Sequence, residues 1–263
     1  MTSYYPSMMP FLERIETRSR LTDEERRVIL ELPFHPRQVG ANRDFVQRGE
    51  EVTHSCFVLE GLVGTFGQNK SGERQITSVF LTGDMIDLQT VVVPEAMAAL
   101  QALTTTTILQ VPHSALRQAA ARHPGIAEAF WRECVVVAGI LSEWVLNVGR
   151  RDARSRLAHL FCEIACRSGH DTEHDDCAFQ FPITQNQLAD MLGLTPVHVN
   201  RTLKGLREDG VVDLVHRTVH IRNWQRLAQI GDFDPIYLRL GGAEVRCAPP
   251  VEAKHPQKMR LLQ

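Results

Sequence analysis

Between residues 37 and 111 the chain is a series of short apolar runs, among them Cys56-Phe57-Val58-Leu59, residues 75–81 and residues 105–111, punctuated by Gly40, Gly49, Gly61, Gly72 and Gly83. Short strands at close spacing with glycine turns predict an antiparallel sandwich or roll. Residues 13–32 read as a helical lead-in, with Thr22 three residues ahead of Glu25 as a capping box. Beyond Pro124 the period changes. Ala127, Phe130, Cys134, Val137, Leu141, Trp144 and Val148 recur with alternating spacings of 3 and 4, the seam of a coiled coil. A second stripe, Trp131, Val135, Ala138 and Val145, runs beside it. One stripe is expected to cover the sheet domain and the other to meet an identical helix. We assign Phe130, Cys134, Val137, Leu141, Trp144 and Val148 to dimerisation, the alternative being a single buried helix in a monomer.

Arg150-Arg151-Asp152 ends the long helix, and residues 153–167 form another with Leu157, Leu160, Phe161 and Ile164 on its inner face, followed by a polar loop at 168–176. The informative stretch is 181–212. Thr184 and Gln187 make a capping box for a short helix with Leu188, Ala189 and Leu192 inward, and Gly193 stops it. Thr195 then serves as N-cap with Pro196 in the first helical position, so a second helix starts there. On it Val199, Leu203 and Leu206 face the core, Val197, Arg201, Lys204 and Glu208 lie opposite, and His198 and Asn200 flank them. This is the arrangement that enters a major groove. Residues 211–215 and 218–222 read as a two-stranded wing whose tip, His216-Arg217, meets phosphate. The alternative is a helical hairpin that only packs, but cap, turn, second cap and core period agree in register.

Composition narrows the picture. At 263 residues the chain has room for about two domains. The partition expected is a lead-in and sensor domain over 1–123, a dimerisation helix over 124–150, a DNA-binding domain over 151–230 and a largely disordered extension over 231–263, whose last part is rich in proline and charge without periodicity. A net charge of -2 excludes a uniformly basic nucleic-acid binder, so any DNA site is a local patch. The first 20 residues lack a continuous apolar core, and the most apolar stretch, 134–146, is interrupted by Ser142 and Glu143. No signal peptide and no membrane span are expected, and the location expected is the cytoplasm. The 6 cysteines show no paired framework and suit reduced thiols.

The residues of the 181–212 stretch resemble the Crp/Fnr regulators. Thr184, Leu188, Ala189, Leu192, Gly193, Leu194, Thr195, Val199, Arg201, Leu203, Leu206 and Gly210 match that family's helix-turn-helix pattern. Leu59-Glu60-Gly61, Gly72-Glu73-Arg74, Gly83-Asp84 and Ala102-Leu103-Thr104 agree more loosely with its sensor half, and the resemblance spans residues 24–230. It implies an α+β chain: an antiparallel β-roll or jelly roll of the cyclic-nucleotide-binding type, a long dimerisation helix and a C-terminal winged helix-turn-helix. It further implies a transcription regulator that binds pseudo-palindromic double-stranded DNA as a homodimer, with RNA polymerase as a partner. Arg201 would reach base edges or nearby phosphates, and Gln185 and Thr195 the backbone. The DNA-binding set is therefore Gln185, Thr195, Pro196, Val197, His198, Asn200, Arg201, Lys204 and Arg217. Many members carry glutamate where this chain has Val197, which offers a thymine methyl a contact but accepts no hydrogen bond, so a different half-site is implied.

The effector is not legible. Cyclic-nucleotide-binding relatives carry a phosphate cassette and an arginine after the Gly-Asp turn. Here Gly83-Asp84 runs into Met85-Ile86-Asp87-Leu88, and residues 83–103 supply Asp84, Asp87 and Glu95 with no lysine or arginine. Cyclic AMP is not expected to bind. Iron–sulfur relatives need an N-terminal cysteine cluster, and the first cysteine is Cys56. Cys162, Cys166, His170, His174 and Cys177 would share a face only if the helix persisted past Ser168-Gly169. Zinc, a redox pair at Cys162 and Cys166, and plain buried thiols all stay open, and no metal or cofactor is predicted. An enzyme on a cupin-like roll is disfavoured, because His54 is the one histidine inside the sheet region and no nucleophile–base pair is visible. A ligand-binding or redox-sensing module without direct DNA function is the competing reading.

Overall fold

The computed structural model describes residues 5–170 and 176–240. Two short helices, α1 (Met9–Glu16) and α2 (Asp23–Leu30), lead into eight strands: β1 (His35–Val39), β2 (Arg43–Val46), β3 (His54–Glu60), β4 (Val63–Gln68), β5 (Arg74–Phe80), β6 (Met85–Ile86), β7 (Ala99–Ala102) and β8 (Thr106–Pro112). The expected capping box opens α2, with the Glu25 amide donating to the Thr22 hydroxyl and the Thr22 amide to the Glu25 carboxylate, 2.9 Å away. The strands form two antiparallel sheets, ordered β1-β8-β3-β6 and β2-β7-β4-β5. Alternation along β3 sends Cys56 and Val58 into the space between the sheets and Phe57 to the outer face. There Phe57 meets Phe11 at a ring separation of 5.8 Å, and Phe11 meets Phe130 at 6.4 Å. Each such fully buried side chain contributes about 1.5–3 kcal/mol. Gly61 makes the turn between β3 and β4 at φ +93°, where a Cβ would fall 2.7 Å from the Thr105 carbonyl.

After α3 (His113–Arg122) comes α4 (Pro124–Arg150), the 27-residue helix that organises the molecule. Its inner stripe, Ile126, Ala129, Phe130, Val136, Ile140, Trp144 and Asn147, is buried in the same chain. Two of the six residues assigned to dimerisation lie in this inner stripe. Phe130 and Trp144 each retain only 6% exposure and face the chain's own cores, so they are unavailable to a partner. Cys134, Val137 and Val148 are half-buried, and Leu141 is exposed. The open ridge is the neighbouring stripe: Trp131, Val135, Ala138, Leu141, Val145 and Leu146. Both stripes are apolar. What separates them is where the roll and the following helix lie, which no periodicity encodes.

The chain continues through α5 (Ala153–Arg167), β9 (Cys177–Gln180), α6 (Gln185–Leu192), α7 (Pro196–Glu208), β10 (Val212–Val215), β11 (Thr218–Ile221) and α8 (Trp224–Gly231). One core holds the inner faces of these elements together with Leu62, Ile76, Val79, Leu81 and Leu103 of the roll and Val136, Ile140 and Trp144 of α4. The extension after α8 departs from the expectation of disorder: Pro235–Leu238 form a tight turn, Leu238 is fully buried, and Tyr237 bonds inward. Residues 241–263 of that expected disordered tail lie outside the described residues. Among the described residues no helix is long and apolar enough to cross a membrane.

A buried ionic network crosses this core. The Glu163 carboxylate accepts from Trp144 Nε1 at 3.0 Å, from the Tyr237 hydroxyl at 2.9 Å and from Arg167 at 3.0 Å. Arg167 also donates to Asp84 at 2.8 Å and to the Val79 carbonyl at 2.6 Å. Arg14 of α1 closes the network, lying 3.4 Å from Asp84 and donating to the Arg167 carbonyl at 2.7 Å.

Candidate nucleic-acid interface

The helix-turn-helix forms where expected because each local rule is satisfied in turn. Thr184 and Gln187 cap α6 reciprocally, the Thr184 amide donating to Gln187 Oε1 at 2.7 Å and the Gln187 amide to the Thr184 hydroxyl at 3.2 Å. Gly193 ends α6 at φ +62°, in the left-handed region that glycine adopts without penalty. The Thr195 hydroxyl accepts from the His198 amide, and Pro196 opens α7. Val199 and Leu206 are fully buried and anchor α7, while Leu203 packs half-buried beside them.

The outward face carries the candidate contacts. Val197 is 79% exposed, and Asn200, Arg201 and Lys204 stand open beside it. Asn200 donates to Gln185 Oε1 at 2.9 Å, so the start of α6 and the middle of α7 are joined on the surface that would meet DNA. Lys204 lies 3.6 Å from Glu208, and Arg201 has no carboxylate partner among the described residues. His198 is half-buried, and its carbonyl accepts from the Thr202 hydroxyl. Thr195 is exposed and Pro196 half-buried at the helix entrance.

The wing is β10 paired with β11, and β9 adds a third strand that the polar loop before it concealed in the sequence. At its tip His216 and Arg217 adopt φ of 49° and 65°. Two positive φ values suit an Asn-Gly turn, and holding two long side chains there costs on the order of 1–3 kcal/mol each. Both side chains are exposed. One residue was missed by sequence reasoning: Arg154, in the first turn of α5. It pairs with Asp209 and lines a shallow depression together with Asp152, His198, Arg201, Thr202 and Gly205. The local signal was its place two residues after Asp152, the N-cap of α5.

The roll holds a cavity of about 400 Å³ between β4, β5 and α4, lined by Phe66, Phe80, Met85, Cys134, Val137 and Leu141 among others. Its basic and acidic side chains are Arg48, Asp87 and Glu133. Arg48 comes from the loop between β2 and β3, well before the Gly83-Asp84 turn in the chain. Burial pushes the Asp87 carboxyl up to about 6, against the opposing effect of the Gln89 amide. Burial also raises Glu133, although Arg18 donates to both its oxygens at 2.8 Å.

Cys162 and Cys166 are buried on α5. Burial, with smaller contributions from Glu163 and Cys177, pushes the Cys166 thiol up to about 12, and burial takes Cys162 well above the ordinary value. Protonated thiols are poor nucleophiles and poor metal ligands. His170 packs on Phe179 at 5.7 Å, and His174 lies outside the described residues. Among the described residues no three His, Cys, Asp or Glu side chains gather to hold a metal ion.

Comparison with known proteins places both halves. Residues 36–123 match the cyclic nucleotide-binding domain, and residues 155–230 match the Crp-like helix-turn-helix domain. The chain is 25% identical over 217 residues to the transcriptional activator protein FnrL of Cereibacter sphaeroides, covering 79% of this chain and 84% of that protein. It is 28% identical over 166 residues to the nitrogen fixation regulation protein FixK of Azorhizobium caulinodans, covering 63% and 66%. Among solved structures, FixK2 from Bradyrhizobium japonicum superposes with a TM-score of 0.68 at 25% identity, over 76% of this chain and 98% of that one.

Proposed function

Because the chain belongs to the Crp/Fnr family and is a DNA-binding transcription regulator, we propose that it reads a pseudo-palindromic site as a homodimer, one α7 in each of two major-groove half-sites about 34 Å apart. The observation that carries this reading is the outward face of α7. Val197, Asn200 and Arg201 are exposed, Gln185 is exposed and bonded to Asn200, and the Arg217 wing tip is exposed as well. Gln185, Thr195 and Arg217 serve the backbone, Arg201 reaches base edges or nearby phosphates, and Val197 favours a thymine methyl. Lys204 adds charge at the rim and His198 and Pro196 shape the helix entrance. The ridge of Trp131, Val135, Leu141 and Val145 is the dimer contact. RNA polymerase is the partner in regulation, the cytoplasm the location, and no catalytic step is involved.

Arg201→Ala is expected to weaken binding to a duplex selected from random sequence by about 1–3 kcal/mol, roughly 5- to 150-fold. Fluorescence anisotropy at fixed salt measures it. Unchanged affinity in a folded variant removes Arg201 from the interface. A wild-type protein that binds no selected duplex at any salt would instead be a ligand-binding or redox-sensing module.

Cyclic AMP is not the effector in this reading. A phosphodiester entering the cavity meets Asp87 and the Arg18-paired Glu133, and among the described residues the cation lining the cavity is Arg48, on an exposed loop. An anion taken from water without a charge-assisted partner costs several kcal/mol. Calorimetric titration is expected to give no saturable heat at micromolar nucleotide, and DNA affinity is expected to be the same with and without it. Micromolar binding would overturn this part.

A further inference from the structure

Helix α6 is gripped at both ends by the sensor domain. At its start the Gln187 side chain does two jobs. Its Oε1 accepts from the Thr184 amide in the capping box, while its Nε2 donates to the Leu103 carbonyl at 2.9 Å and to Asn42 Oδ1 at 3.0 Å, both on the roll. The residue is only 6% exposed. At the other end the last carbonyls of α6 have no partner within the helix. The Met191 carbonyl is taken by Gln75 Nε2 of β5 at 3.0 Å, and the Leu192 carbonyl by Arg156 of α5 at 2.9 Å. The rest of this contact is a core shared by Leu62, Ile76 and Leu103 with Leu188 and Met191, beside which Arg74 of β5 attracts Asp190 of α6 without a direct bond. Apolar contact has no preferred direction, whereas hydrogen bonds do. The two amide side chains therefore fix the rotation of α6 on the roll, and α7 follows α6 through a one-glycine turn and the Gln185–Asn200 bond.

Residue identity points the same way. Glutamate completes a capping box as well as glutamine does, but a carboxylate donates nothing. The two carbonyl-type acceptors on the roll require the amide. Asn42 sits at φ +61°, a conformation asparagine tolerates, and this aims its oxygen at Gln187.

We infer that Gln187 and Gln75 are positioning residues for DNA recognition: they hold the reading helix at one setting on the sensor and thereby select the spacing between half-sites, without taking part in base readout. This rests on the homodimer reading above.

The test uses the full-length protein and duplexes with two copies of the selected half-site, the spacer varied one base pair at a time about its optimum. Wild type is expected to lose affinity by about tenfold per base pair, because each step turns one half-site by about 35° around the DNA axis. Gln187→Glu keeps the cap and breaks the clasp. It is expected to discriminate spacers by less than about threefold while keeping the wild-type half-site preference. Asn42→Asp, which retains the accepting oxygen, is expected to behave as wild type, and Asn42→Gly, which suits the positive φ, to broaden the profile partway. These last two variants decide the matter if Gln187→Glu does not fold. A sharp wild-type profile reproduced unchanged by Gln187→Glu or Asn42→Gly overturns the clasp alone. A wild type indifferent to spacing overturns the paired half-site reading and the clasp with it.

Discussion

Arg167→Met is expected to lower stability by about 3–5 kcal/mol. The guanidinium lies between two carboxylates, 2.8 Å from Asp84 and 3.0 Å from Glu163, and is almost wholly buried. Methionine preserves most of the stem's volume but leaves both anions without their shared cation. Arg14 still reaches Asp84, and Trp144 and Tyr237 still donate to Glu163, but neither of the last two carries charge. The urea midpoint at pH 7 measures the loss. A deficit below about 1 kcal/mol would mean that water enters the network. The pH dependence has a definite sign. Burial alone raises Asp84, but Arg14, Arg167 and the Leu81 amide together hold it below the ordinary carboxylate value. Its contribution is present above the unfolded-state value of about 3.9 and is lost as pH falls through the lower folded value, so the gap between native and variant narrows in acid.

The double variant Val135→Asp, Val145→Asp is expected to leave the protomer folded, to halve the native mass and to reduce affinity for a full palindrome by about 10²–10⁴-fold, the range lost when two linked contacts become one. Val135 is 52% and Val145 70% exposed, so neither aspartate is forced into a core. Light scattering and anisotropy on the same samples check both parts. A variant that stays dimeric places the interface off this ridge. Charging Trp144 is a poor substitute for this experiment. Its indole is buried against Glu163, so the protomer itself would unfold.

The reading unit was legible because its determinants are local. Thr184 with Gln187, Gly193 at positive φ and Thr195 with Pro196 each act within four residues, and each appears in the structure as its spacing predicts. The long helix was legible as an element but not as an oriented one. Phe130 and Trp144 follow a heptad as well as Val135 and Val145 do, and only the neighbouring roll and α5 decide which row is covered. Arg14, Asp84, Glu163, Arg167 and Tyr237 meet across more than 200 residues of chain, with no spacing to announce them. The turn at Pro235–Leu238 lacked periodicity, yet it had one readable sign: Asp234 accepts from the Ile236 amide, the ordinary start of a helical turn. Arg48 was hidden for a different reason: the fold brings it from the loop between β2 and β3 to a cavity whose carboxylates, Asp87 and Glu133, lie well after it in the chain.

The single core that runs from the roll into α5–α8 bears on how such a protein changes its target over evolutionary time. A family of sensors and readers invites exchange of whole cassettes, but here a cut near residue 151 would strip Leu62, Ile76, Val79, Leu81 and Leu103 from their neighbours on one side and bare Leu188 and Met191 on the other. It would also orphan the Gln187 amide and the Met191 carbonyl. Any recipient scaffold would have to supply matching apolar relief, acceptors for the Gln187 amide and a donor for the Met191 carbonyl, all in register. Val197 and Arg201 touch none of that seam, so an exchange of side chains on the outer face of α7 leaves the shared core whole, whereas a division of the two halves does not.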